Sequence, residues 1–162
     1  MEIAPATHAD VPQLCELLTL LFSQEQEFVP DEAAQRAGLK TIITDPRVGQ
    51  ILVLRKDQRI LGMVNLLYTI STALGGRVAI LEDMVVRPEY RGTGAGSRLI
   101  RAALEFARTA GCMRVTLLTD QGNIAAQRFY QRHGFALSSM IPLRQLLVAD
   151  TKVVARTGDG DS

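Results

Sequence analysis

Apolar residues recur along the chain with two periods, near 3.6 and near 2, and the switches between them mark out the elements. Val11, Leu14, Leu17, Leu18, Leu21 and Phe22 form a stripe at helical spacing, which predicts a helix to about Gln24 that buries this face. Ahead of it, residues 2–6 predict a short strand. Thr7-x-x-Asp10, with Pro12 in the first turn, is a helix-start signature. A second helix is predicted between Pro30-Asp31 and Pro46, with Ala34, Ala37, Ile42 and Ile43 inward. Residues 51–54 and 60–68 predict an antiparallel pair joined by the turn Asp57-Gln58-Arg59. Gly75-Gly76 marks the next reversal, and residues 78–86 predict a strand that ends at Pro88, which has no N–H for a ladder. Leu99, Ile100, Ala103, Leu104 and Ala107 restore helical spacing up to Gly111, a C-cap signal. Residues 115–119 predict a strand, 123–133 a helix closed by Gly134, and 135–140 and 145–148 two last strands. The expected fold is a single α/β domain over residues 1–154, with a mixed, mostly antiparallel sheet of six to seven strands and helices on both faces. A flexible tail is expected at 155–162.

Composition narrows the partners. A chain of 162 residues, 47% apolar and 22% charged, is one ordinary globule. Its net charge of +1 gives no bias toward nucleic acid or membrane surfaces. No run of 18 apolar residues and no signal-like start are present. Cys15 and Cys112 are too few for a disulfide framework and lie among apolar residues, so reduced, buried thiols in a cytoplasmic protein are expected. No His/Cys/Asp/Glu cluster has metal-ligand spacing, so no metal is expected. His8 and His133 are expected to be structural or exposed.

The chemistry gathers around one stretch. The strand over 78–86 runs into Arg91-Gly92-Thr93-Gly94-Ala95-Gly96-Ser97 and then a helix, and bare N–H groups at such a helix start can hold a phosphate or pyrophosphate. A P-loop would need Gly-Lys-Ser/Thr, which Gly96-Ser97-Arg98 does not supply. The spacing Gly-x-Gly-x-Gly also departs from the dinucleotide fingerprint. Glu82 and Asp83, adjacent in an apolar strand, should point to opposite faces unless a bulge intervenes. Each either pairs with an arginine such as Arg77 or Arg91 or serves the reaction, Glu82 by relaying a proton from an ammonium through water. Met84, Val85 and Val86 could offer backbone groups to a ligand if the strand splays from its neighbour. Residues 23–32 carry four acids, Glu25 and Glu27 among them, and no base. They form either a solvated loop or an acidic rim that attracts a cationic amine. Asn123 is a helix cap, and Tyr130 a helix-face tyrosine that buries its ring.

Arg91-Gly92-Thr93-Gly94-Ala95-Gly96 resembles the Arg/Gln-x-x-Gly-x-Gly/Ala loop of the GCN5-related N-acetyltransferases. A second element, Asn123-Ile124-Ala125-Ala126-Gln127-Arg128-Phe129-Tyr130-Gln131-Arg132-His133-Gly134-Phe135, is similar to another stretch of that family, and the likeness covers about residues 50 to 136. It implies that the loop from Arg91 to Ser97 binds the pyrophosphate of acetyl-CoA, that Asn123 contacts its pantetheine arm, and that Tyr130 protonates the departing thiolate. Leu81-Glu82-Asp83 followed by Tyr90-Arg91-Gly92 resembles the diamine (spermidine/spermine-type) acetyltransferases most. That implies Glu82 as base through ordered water, Asp83 near the acceptor amine, and the connection with Glu25 and Glu27 beside the acceptor site. The implied reaction is direct attack of a primary amine, a small cationic amine or polyamine, on acetyl-CoA, in an enzyme that forms homodimers. A sugar-phosphate or protein amine as acceptor, a CoA-sensing module without turnover, and hydride transfer with a nicotinamide cofactor are the alternatives.

Overall fold

Side chains alternate along a strand, and here both faces of the central strands are covered, so β-branched and leucine-rich runs replace polar alternation. The structure, a computed structural model, describes residues 1–25 and 29–148. β1 (Glu2–Pro5), β2 (Gly49–Lys56), β3 (Arg59–Ser71), β4 (Gly76–Val86) and β5 (Val115–Leu117) form one sheet in that order. The first four pair antiparallel, and β5 joins β4 in parallel. Ile51, Val53 and Met63 feed a core under α1 (Val11–Gln24) and α2 (Glu32–Thr44). Leu52, Leu54 and Val64 feed a second core under α3 (Ala95–Thr109), which α4 (Ile124–Arg132) extends with Phe129 and Tyr130. The mixed sheet with helices on both faces is the expected architecture.

Three expectations are corrected. The inward face of α2 is Gln35 and Leu39, continued by Ile42 and Ile43, while Ala34 and Ala37 are exposed. A methyl group adds little to a core, whereas the Gln35 amide buries with its hydrogen bonds made: it donates to the Cys15 carbonyl at 3.1 Å and accepts from the Asp31 N–H at 3.0 Å. β5 stops at Leu117 rather than residue 119. The sheet has five strands, not six to seven, because residues 135–148 form none. Pro142 cannot donate to a ladder, and no strand edge among the described residues pairs with this segment. Its apolar side chains are exposed instead, Leu143 by 92% and Leu147 by 90%. Apolar content alone does not distinguish a strand from an extended apolar stretch.

Glu27, the proposed domain limit at 154 and the tail at 155–162 lie outside the described residues. Cys15 is buried and Cys112 half-buried, and both are free thiols. Among the described residues no helix is long and apolar enough to cross a membrane.

Candidate active site

β4 carries one residue more than β3 can match. Two steps along β3, from Met63 to Asn65, face three along β4, from Val85 to Glu82. Asp83 is the extra residue, with a left-handed backbone at φ 52°, as in a bulge that re-aims side chains. The bulge resolves the question of faces. Asn65 stands opposite Glu82 in the ladder and also donates from Nδ2 to Asp83 Oδ2 at 3.3 Å, so both acids are presented toward the α1–α2 side. On its other edge β4 pairs with β5 only from Ala79 to Leu81. From Glu82 to Val86 the strand has no ladder partner on that edge among the described residues.

The two acids differ in setting. Glu82 is exposed, while Asp83 is half-buried and lines a cavity between α1, α2 and the sheet. Desolvation pushes the Asp83 carboxyl up to about 6, against the lowering effect of the Asn65 hydrogen bond and with a further rise from the Glu82 charge. Neither acid forms an ion pair among the described residues. Arg77 donates to the Ala110 carbonyl and lies 4.7 Å over the Tyr68 ring, and Arg91 Nε donates to the Val86 carbonyl at 3.1 Å. Neither arginine named as a structural partner for these acids reaches them. Asn65 was not anticipated. It is 2% exposed with an unpartnered Oδ1, and its signal was a lone amide inside the apolar run Met63-Val64-Asn65-Leu66.

The glycine loop is built as an anion cradle. Gly92 and Gly94 have φ of 74° and 86°, and Gly94 is the N-cap of α3. Thr93 Oγ1 donates to the Tyr90 carbonyl at 2.6 Å and braces the turn. No hydrogen bond among the described residues uses the N–H of Gly92, Thr93, Gly94, Ala95, Gly96 or Ser97. Unpaired N–H groups at a helix start are what a pyrophosphate needs, so the residues present fit the pyrophosphate of a CoA ester. A Cβ on Gly96 would lie 3.4 Å from the Phe129 ring, so α4 packs tightly against this loop.

α4 carries Tyr130 on the same side of the sheet as α3. Its ring packs edge-on against Phe129 and Phe135 at 5.2 and 5.7 Å, and burial raises its phenol above the usual value. Asn123 Oδ1 caps α4 by accepting from the Ala126 N–H at 3.1 Å, which leaves its amide NH2 outward. His133 is half-buried and joins the loop to α4 through a 3.0 Å hydrogen bond between Nε2 and Ser97 Oγ, a tie that the sequence did not announce. Glu25 follows the last residue of α1 and is half-buried.

A sequence profile described as the Acetyltransferase (GNAT) family matches residues 11–135. The chain belongs to that family. GNAT enzymes use acetyl-CoA as cosubstrate, and this acetyltransferase has relatives of moderate identity. It is 31% identical to the aminoalkylphosphonate N-acetyltransferase of Salmonella typhimurium over 137 residues, 85% of this chain and 86% of that one. It is 39% identical to the thialysine N-epsilon-acetyltransferase of Sus scrofa over 69 residues, 43% of this chain and 41% of that one. A solved putative acetyltransferase from Agrobacterium tumefaciens superposes with a TM-score of 0.75 at 28% identity, covering 90% of this chain and 100% of the other.

Proposed function

We propose that this acetyltransferase transfers the acetyl group of acetyl-CoA to the primary amine of a small cationic acceptor by direct attack. The observation that carries the reading is the bulge in β4, which presents on one face two acids that form no ion pair among the described residues, just before a loop of unbonded N–H groups. The names of its relatives, which act on an aminoalkylphosphonate and on thialysine, support a small amine as acceptor. Neither cysteine suits a covalent route, since burial pushes both thiols up and away from the reactive thiolate.

Bound acetyl-CoA supplies an activated acyl group. The loop from Arg91 to Ser97 holds its pyrophosphate, with Met84, Val85, Val86 and Asn123 along the pantetheine arm. The acceptor arrives as an ammonium, whose lone pair is unavailable until a proton leaves. Asp83 lies in the cavity and is the nearer acid to the amine, and Glu82, exposed beside it, relays the proton to solvent. As the N–C bond forms and the C–S bond breaks, the nitrogen loses its second proton by the same Asp83–Glu82 path to solvent, the sulfur gains one from Tyr130, and the tyrosinate then recovers a proton from water. Its buried phenol stays protonated at neutral pH and so remains able to donate. Glu25 and Glu27 add long-range attraction for a cation. Homodimerisation is proposed on the resemblance, with the exposed apolar segment at 137–148 as the surface to probe.

Calorimetry with acetyl-CoA, followed by turnover on a broad amine panel, tests the reading. Glu82→Gln and Tyr130→Phe should each lose about 100-fold or more in kcat with acetyl-CoA affinity little changed. The Glu82→Gln defect should shrink as pH rises, because more acceptor is then neutral. The Tyr130→Phe defect should not, because its proton is needed after attack. Binding without turnover on any amine would make the protein a sensing module, and binding of NAD but not CoA would overturn the reading altogether.

A further inference from the structure

The cavity beside the bulge has a chemistry of its own. It encloses about 290 Å³ between α1, α2 and the sheet, at the small end of ligand pockets. Leu18, Phe22, Leu39 and Ile42 are among its walls, and its polar lining is Asp31, Gln35, Asn65 and Asp83. Two of these four are engaged within the fold. Asp31 caps α2 by accepting from the Ala34 N–H at 3.2 Å. Gln35 makes the bonds to Cys15 and Asp31 given above and also donates to the Thr19 hydroxyl at 3.2 Å.

What remains is Asn65 Oδ1, buried and unpartnered, and the Asp83 carboxylate, which Asn65 Nδ2 engages at 3.3 Å. Both are acceptors. Turning the Asn65 amide over would set its oxygen against the carboxylate, so its orientation follows from the charge on Asp83. Two acceptors without a donor suit a ligand group that only donates, and an ammonium is one. Among the described residues that line the cavity there is no Arg, Lys or His. A phosphate or phosphonate would therefore enter without a counter-charge, and a second ammonium would leave water for an apolar wall, which is costly in both cases.

We infer that the acceptor is a compact monoamine with an uncharged, apolar body, its ammonium held by Asn65 and Asp83 and its body seated between α1 and α2. This rests on the acetyl-transfer reading above and narrows its acceptor. Asn65 is a binding residue in this scheme, and the walls set specificity by excluding a second charge.

The test compares kcat/KM for butylamine and phenethylamine with spermidine, 2-aminoethylphosphonate and glucosamine 6-phosphate. The apolar monoamines should lead by about tenfold or more. Gly38 lines the cavity, and a Cβ there meets nothing within 4 Å, so Gly38→Leu should fold. It should raise KM for the apolar amines about tenfold and leave acetyl-CoA affinity unchanged. Ala34→Arg, which places a cation on the same wall, should shift preference toward the phosphonate. A wild-type preference for spermidine or for either anionic amine would overturn the inference while leaving acetyl transfer intact. So would an unchanged KM in folded Gly38→Leu. Acetyl-CoA binding with no amine acetylated would instead overturn the transfer reading, and this inference with it.

Discussion

Asp83 combines two unfavourable conditions in one residue. Its backbone is left-handed, a region in which asparagine and aspartate are the better tolerated side chains after glycine. Its carboxyl is desolvated and ionises near 6 instead of the 3.8 of a free side chain. Folding thus disfavours its charge. The stabilising effect of keeping it protonated is fully present below the unfolded value and is lost as pH rises through about 6. Asp83→Asn keeps a residue suited to the backbone and removes the charge. It should therefore be more stable than wild type at pH 8, by roughly 2 kcal/mol, and equal to it at pH 4, as thermal melts at the two pH values would show. An equal difference at both would mean that the carboxylate is not the destabilised group. The same titration should appear as a rising limb near pH 6 in kcat/KM of the wild type, and Asp83→Asn should lack it.

The glycine loop and β4 show which elements a sequence reveals. The loop was legible because its requirement is local. Gly92 and Gly94 need positive φ, and their spacing ahead of an amphipathic helix says so without any tertiary knowledge. The bulge was not legible, because it exists only in the pairing with β3, where Val64 lies between the partners of Glu82 and Val85. The sequence could therefore name Glu82 and Asp83 as unusual but could not say that they share a face. Ala34 and Ala37 fell to a similar gap. Their spacing fits the α2 stripe one residue out of phase, and only packing against α1 selects Gln35 and Leu39. At this scale the expectation is that Gly94→Asp stays folded and loses acetyl-CoA binding, because side-chain bulk blocks the backbone and charge repels the pyrophosphate. Unchanged affinity in calorimetry would remove the loop from the site. Hydrogen exchange offers a second readout: the amides of residues 92–97 should exchange fast in the free protein and become protected when CoA binds.

At the scale of the molecule, two cores sandwich one sheet, and the chain beyond α4 adds to neither with most of its apolar residues. Leu137, Met140, Ile141, Leu143, Leu147 and Val148 are exposed within twelve residues, more apolar surface than an isolated domain usually leaves to water. If this segment joins two copies, sedimentation should show a dimer for the wild type and a monomer for the double variant Leu143→Glu, Leu147→Glu, with acetyl-CoA binding kept. A dimer in both would place the interface elsewhere. The bulge also bears on the robustness of the whole chain. Deleting Asp83 alone would set Met84 opposite Val64 and leave Val85 opposite Met63, so every remaining side chain of β4 would keep its present face. A strand one residue shorter would thus serve the architecture better, free of a left-handed residue that costs of order 1–3 kcal/mol. On the proposed transfer, in which Asp83 holds the amine, the deletion variant should melt no lower than the wild type and lose acetylation, so that function would be exchanged for robustness.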